Sequence, residues 1–222
     1  GAQAEKLPKI GKGIAGVIDE VLRHGRLKTQ EERMEGAIER QNVTELFLKV
    51  WGVTPKIANE WYFLGNRSIE NLISNAKNEN IPKMTEKQKL GLKYFDDLAL
   101  SVPYDEAVGV LDQIRNVLTK VVTQCELVGP HRRGEVSASE ISIACKISKS
   151  PTKAVVQKIA SKIPRSLVTE EGFSDSTSWS GIVRPKGSSL ARKLVLHFIF
   201  QEEWGAALIQ LTGPDSFVKM IK

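Results

Sequence analysis

The stretch Leu127-Val-Gly-Pro-His-Arg-Arg-Gly-Glu-Val-Ser-Ala-Ser-Glu-Ile-Ser-Ile-Ala-Cys145 restricts the chain more than any other. It reads as a short strand, a Gly-Pro turn, a basic pair closed by Gly134, a loop of small residues and a second strand over 140–147. Alternate strand residues face the same side. Carboxylates at positions 140 and 142 would therefore converge on one face, where a metal pair for phosphoryl chemistry can be held. The residues there are Glu140 and Ser142, so the frame is present and half of these ligands are replaced.

The chain of 222 residues is long enough for one large domain or several small ones. A net charge of +6 and a pI of about 9.3 favour a polyanionic partner. No apolar run approaches the roughly 18 residues of a membrane span, and Gly1-Ala-Gln-Ala-Glu-Lys6 lacks the pattern of a secretory signal. The two cysteines, Cys125 and Cys145, sit in apolar segments and are expected as buried reduced thiols. Together with the three histidines they make no zinc spacing.

Ahead of the central stretch, Lys6 to Leu22 carries apolar residues at Ile14, Val17, Ile18, Val21 and Leu22, which predicts a helix from near Lys12. Gly11 and Gly13 precede and open it. Glycine lets a backbone approach a ligand, and a helix start offers N–H groups to a phosphate. The segment fits either a helix-hairpin-helix that holds a DNA strand by its backbone or a Gly-rich turn between packed helices. Phe47 to Tyr62 repeats the pattern about 40 residues on, with Gly52, Thr54 as N-cap and Pro55 at the first helical position. Trp51, Trp61 and Tyr62 are read as core aromatics in preference to base-stacking ones.

Helices are predicted over 68–76, 85–100 and 104–124, with a polar loop from Lys77 to Pro82 and a domain boundary at Ser101-Val-Pro103. Lys83, Lys87, Lys89 and Lys93 are expected as a solvated face. Beyond the central motif come a helix over 150–163, a polar Ser-rich loop or hairpin over 170–187, and Lys193 to Phe200, whose apolar run suggests a strand buried on both faces. A last helix is expected near Trp204 to Gln210.

In this order, the two Gly-turn hairpins, Leu90-Gly-Leu-Lys-Tyr-Phe95, Gly134 after an Arg pair, and Leu211-Thr-Gly213 resemble the family X DNA polymerases, the group of polymerases beta, lambda, mu and terminal transferase. The resemblance runs from about Lys6 to Lys222. It implies an α+β fold: a helical N-terminal region with two helix-hairpin-helix motifs, then a nucleotidyltransferase palm, with the thumb largely absent. The implied segments are 1–43 (remnant of the lyase domain), 44–101 (fingers), 102–203 (palm) and 204–222 (start of a thumb). The family's three metal aspartates correspond to Glu140, Ser142 and Val195, and its Schiff-base lyase lysine to Val17, with Gly13 at a supporting lysine's position and Lys12 one residue off. Its Gly-Ser turn is Gly129-Pro130 here, and the aromatic pair next to the incoming sugar is Gln210-Leu211. Arg132, Arg133 and Ser139 remain as residual phosphate contacts.

The resemblance therefore implies a catalytically silent module with no metal and no cofactor. It would hold the DNA backbone through Lys9, Gly11, Lys12, Gly13, Gly52, Thr54 and Lys56, in a nuclear repair complex and away from membranes. Two alternatives stay open. One is a Mg2+-dependent nucleotidyltransferase with rearranged ligands, such as Glu140 with Glu135 or Asp215, or a third aspartate at Asp175. The other is a protein scaffold whose partner binds the palm or the missing-thumb face.

Overall fold

The computed structural model describes residues 11–25, 30–77, 83–170 and 172–220. Of the positions singled out in the sequence, Lys9 and most of the Lys77–Pro82 loop lie outside these residues, as does the Asp215 side chain. The fold is α+β and divides into two compact units, 1–84 and 85–222. That division falls ahead of the boundary read at Ser101–Pro103.

The first unit is helical: α1 (Lys12–His24), α2 (Gln30–Leu48), α3 (Pro55–Phe63) and α4 (Ile69–Lys77). α3 begins as its sequence dictates. The Thr54 hydroxyl accepts from the Ile57 N–H at 3.4 Å, and Pro55 takes the first helical position, where a missing N–H costs nothing. The core gathers Phe47, Val50, Ala58, Trp61, Ile69 and Leu72, with the Phe47 and Trp61 rings edge to face at 5.9 Å. Trp61 is thus a core residue. The helix predicted from Lys12 is α1, but of its described residues only Ala15 is buried, and Ile14, Val17, Val21 and Leu22 are exposed.

The second unit opens with α5 (Glu86–Lys93) and α6 (Phe95–Ala99). The single helix expected over 85–100 breaks at Tyr94, whose backbone (φ −111°, ψ 22°) leaves the helical region. Next come β1 (Val102–Pro103) and α7 (Tyr104–Leu118), which stops six residues short of the predicted Gln124 because Gln124 already belongs to β2 (Gln124–Leu127). A 3-10 turn at His131–Arg133 and β3 (Ser137–Ala138) lead to β4 (Ile141–Ile147) and α8 (Lys153–Ala160). α8 is capped by Thr152, so Pro151 lies outside it. The Ser-rich segment forms a hairpin of β5 (Phe173–Ser174) and β6 (Ser178–Val183), followed by β7 (Arg192–Phe200). α9 (Trp204–Thr212) and α10 (Asp215–Met220) complete the described chain; the sequence reading assigns no element to the latter.

The main sheet has strand order β2-β4-β7-β6-β5, with β4 and β7 parallel and the other pairings antiparallel. β1 pairs with β3. One face of the sheet carries Cys145, Ile143, Leu194, Leu196, Phe198 and Trp179 into the core against α7 and α8. The period of two then turns Ser142, Val195, His197 and Ser180 to the other face. β7 is therefore buried on one face and half-exposed on the other, not buried on both; its apolar look comes from Val195 and Ile199 on the less covered side. α9 packs on that side against Ala144 and Ile199, together with Val128.

Candidate functional site

Parallel register sets Ser142 directly opposite Val195, and Ser180 flanks Val195 on the next strand. Glu140 precedes Ser142 by two residues. The three positions singled out as metal-aspartate sites therefore come together. Their side chains are engaged otherwise. Glu140 forms an ion pair with Lys193, and Ser142 Oγ shares a hydrogen bond of 3.0 Å with His197 Nε2. Val195 offers no donor.

Burial holds the His197 imidazole below its ordinary pKa, against the pull of the Glu140 and Asp175 carboxylates. Lys87 belongs to the same neighbourhood: burial and the Lys193 charge lower its pKa, opposed by Asp175 and Glu140. Its ammonium stands 5.9 Å from the centre of the Phe173 ring. Asp175, one of the alternative carboxylates, is occupied in the β5–β6 turn. It accepts from the N–H groups of Thr177 (2.8 Å) and Ser178 (2.6 Å) and from the Ser178 hydroxyl (2.7 Å). Burial raises its pKa, but these hydrogen bonds outweigh that and bring the carboxyl below its ordinary value. Glu135 is exposed and paired with Arg133 at 2.7 Å. Among the described residues no three His, Cys, Asp or Glu side chains are grouped to hold a metal ion. This donor set, one carboxylate already paired with a lysine beside a serine and a valine, does not fit a two-metal centre.

The Gly129-Pro130 turn is locally determined. Gly129 sits at φ 69° and donates its N–H to Leu211 O at 3.0 Å, and Gly134 closes the 3-10 turn at φ 86°. Between them Arg132 pairs with Glu126, while Arg133 binds Glu135 and donates to the Thr212 carbonyl at 2.7 Å. Both arginines are thus tied to groups of the chain itself. Ser139 is exposed between β3 and β4.

In the helical unit Gly52 turns at φ 82° between α2 and α3, and Gly52, Thr54 and Lys56 are exposed. Pro55 has no N–H and Thr54 occupies that of Ile57, so few amides of the α3 start are left for a phosphate. Gly11, Lys12 and Gly13 are exposed at the start of α1, where Gly11 is extended and makes no side-chain cap. Val17, at the position implied for the lyase lysine, is exposed on the same helix. Lys193 and His197 escaped the sequence reading. The signal was there: strand alternation through Val195 puts both on its side of the sheet.

Residues 45–99 match the family model described as the fingers domain of DNA polymerase lambda. The chain is 28% identical to DNA polymerase lambda of Arabidopsis thaliana over 96% of its own length, and 25% identical to that of Rattus norvegicus over 99%. It is also 32% identical to the DNA nucleotidylexotransferase of Xenopus laevis over 64% of the chain. The chain is therefore related to the family X DNA polymerases. It spans 41% and 38% of the length of the two lambda polymerases and 27% of the nucleotidylexotransferase.

Proposed function

We propose that this chain is a polymerase-derived module that holds DNA by its backbone, at gaps or broken ends in a nuclear DNA-processing complex, and does not transfer nucleotides. One observation carries the reading: of the three positions that hold metal aspartates in the family, Glu140 is paired with Lys193, Ser142 with His197, and Val195 has no ligand atom. A cation entering there would have to break an ion pair and still find too few oxygens. The lyase step likewise lacks its amine at Val17. DNA binding is supported by the net charge of +6, by the exposed Lys12, Gly52, Thr54 and Lys56, and by the DNA polymerases to which the chain is similar.

The test is fluorescence anisotropy of a gapped duplex titrated with the chain across a salt series, without magnesium. The expected result is binding whose log affinity falls linearly with log salt, and which Gly52→Val or Lys56→Glu weakens. Absence of binding at low salt would sink the DNA part of the reading, leaving a protein scaffold. The exposed apolar side chains of α1 favour that second reading. Primer extension with magnesium or manganese is expected to give no product, and added nucleotides would overturn the loss of catalysis.

A further inference from the structure

Cys125 on β2 and Cys145 on β4 are direct partners across an antiparallel pair, and both are buried. The Val128 N–H donates to Ser142 O at 2.9 Å, which makes 128 and 142 a hydrogen-bonded pair. Alternation along the ladder then makes 125 and 145 a non-hydrogen-bonded pair, the kind in which opposite Cα atoms approach to about 4.5 Å and side chains lie closest. That separation falls inside the range of about 4.4–6.8 Å that a disulfide spans. The sulfurs are 3.7 Å apart. We propose that Cys125 and Cys145 form a reversible dithiol–disulfide modification site, reacting with low-molecular-weight disulfides and joining β2 to β4.

The two thiols are not equivalent. The hydrogen bond shared with Cys145 and the nearby Arg115 guanidinium bring the Cys125 thiol below its ordinary pKa despite burial, while that hydrogen bond and burial push Cys145 well up. Cys125 also lies on the edge strand of the sheet and is the more exposed of the two. Cys125 is thus the attacking sulfur. After losing its proton to solvent, its thiolate displaces one thiolate from the small disulfide and forms a mixed disulfide. Cys145 then gives up its proton to the departing thiolate and attacks Cys125 Sγ. The result is one protein disulfide, and the small disulfide is reduced to two thiols.

The experiment incubates the folded full chain with oxidised glutathione, quenches with acid and alkylates under denaturing conditions, followed by intact mass and a non-reducing peptide map. Expected are a monomer lacking two hydrogens, no alkylation at either cysteine, a linked Cys125–Cys145 peptide pair, and full recovery of both thiols with dithiothreitol. Cys145→Ser is expected to stop at a stable glutathione adduct on Cys125. Wild-type chain in which both thiols still alkylate, or which retains a glutathione adduct or links only between chains, would overturn the proposal. This wild-type result decides the matter even where Cys145→Ser fails to fold, as read by circular dichroism.

Discussion

Arg192 lies almost wholly buried with its guanidinium on Glu106, at 3.0 Å from Nη2, while its Nη1 donates to the Leu100 carbonyl at 3.1 Å. Removing one partner leaves the other charge buried and unpaired, which costs about 3–5 kcal/mol. Glu106→Ala is therefore expected to lower the unfolding free energy of the second unit, read from its urea transition, by that amount, whereas Glu86→Ala, at an exposed pair with Lys89, is expected to change it little. His197 allows a signed prediction. Its folded pKa lies below the ordinary value of 6.5, so the unfolded chain binds the proton more readily. The contribution is fully present above pH 6.5 and falls as the pH drops toward the folded value. His197→Gln is expected to flatten the decline in urea midpoint below pH 6.5 relative to the wild type; an unchanged slope would contradict the assignment. Glycine matters sterically at position 181, where a Cβ would come within 2.5 Å of the Trp179 ring. Gly181→Ala must displace that buried indole, and a shift in its fluorescence together with a lowered melting temperature is the expected readout.

The strands put positions 140, 142 and 195 side by side whatever residues occupy them. A chain carrying Glu140→Asp, Ser142→Asp and Val195→Asp is therefore expected to bind magnesium or manganese measurably by titration calorimetry where the wild type binds neither. An equal heat from both chains would mean that the register does not define the site. This much of the element plan was legible in the sequence: alternation over 140–147 gave β4, and Thr54-Pro55 gave the start of α3. The helix-turn pattern at Lys12 was readable as well. What was not legible depends on tertiary neighbours. Nothing in Thr85–Leu100 announces the break at Tyr94, whose hydroxyl is drawn to Glu170 at 2.9 Å, 76 residues away. Nor does composition separate β7 from a strand covered on both sides, because α9 shields only one end of its second face. The pairing of Ser142 with His197 needs the parallel register, which no local pattern encodes.

The second unit has its own core, built from α7, α8 and the sheet, and its strand pairings are all internal to it. Produced alone, residues 85–222 are expected to unfold cooperatively, with coincident transitions by circular dichroism and by tryptophan fluorescence. A broad, non-coincident transition would show that the unit depends on the rest of the chain. Its sheet also ends in two strands that offer backbone groups to any passing copy. β5 is only two residues long, and β2 only four. On β2 the outward carbonyl of Cys125 is already taken by Arg115, through Nε at 3.1 Å and Nη2 at 2.8 Å, and Glu126 with Arg132 adds charge beside it. A strand from another molecule arriving at this border meets a filled acceptor and must displace a guanidinium before it can extend the ladder. Arg115 thus serves the solubility of concentrated protein as much as the fold of a single chain, and its loss would expose a seed for aggregation.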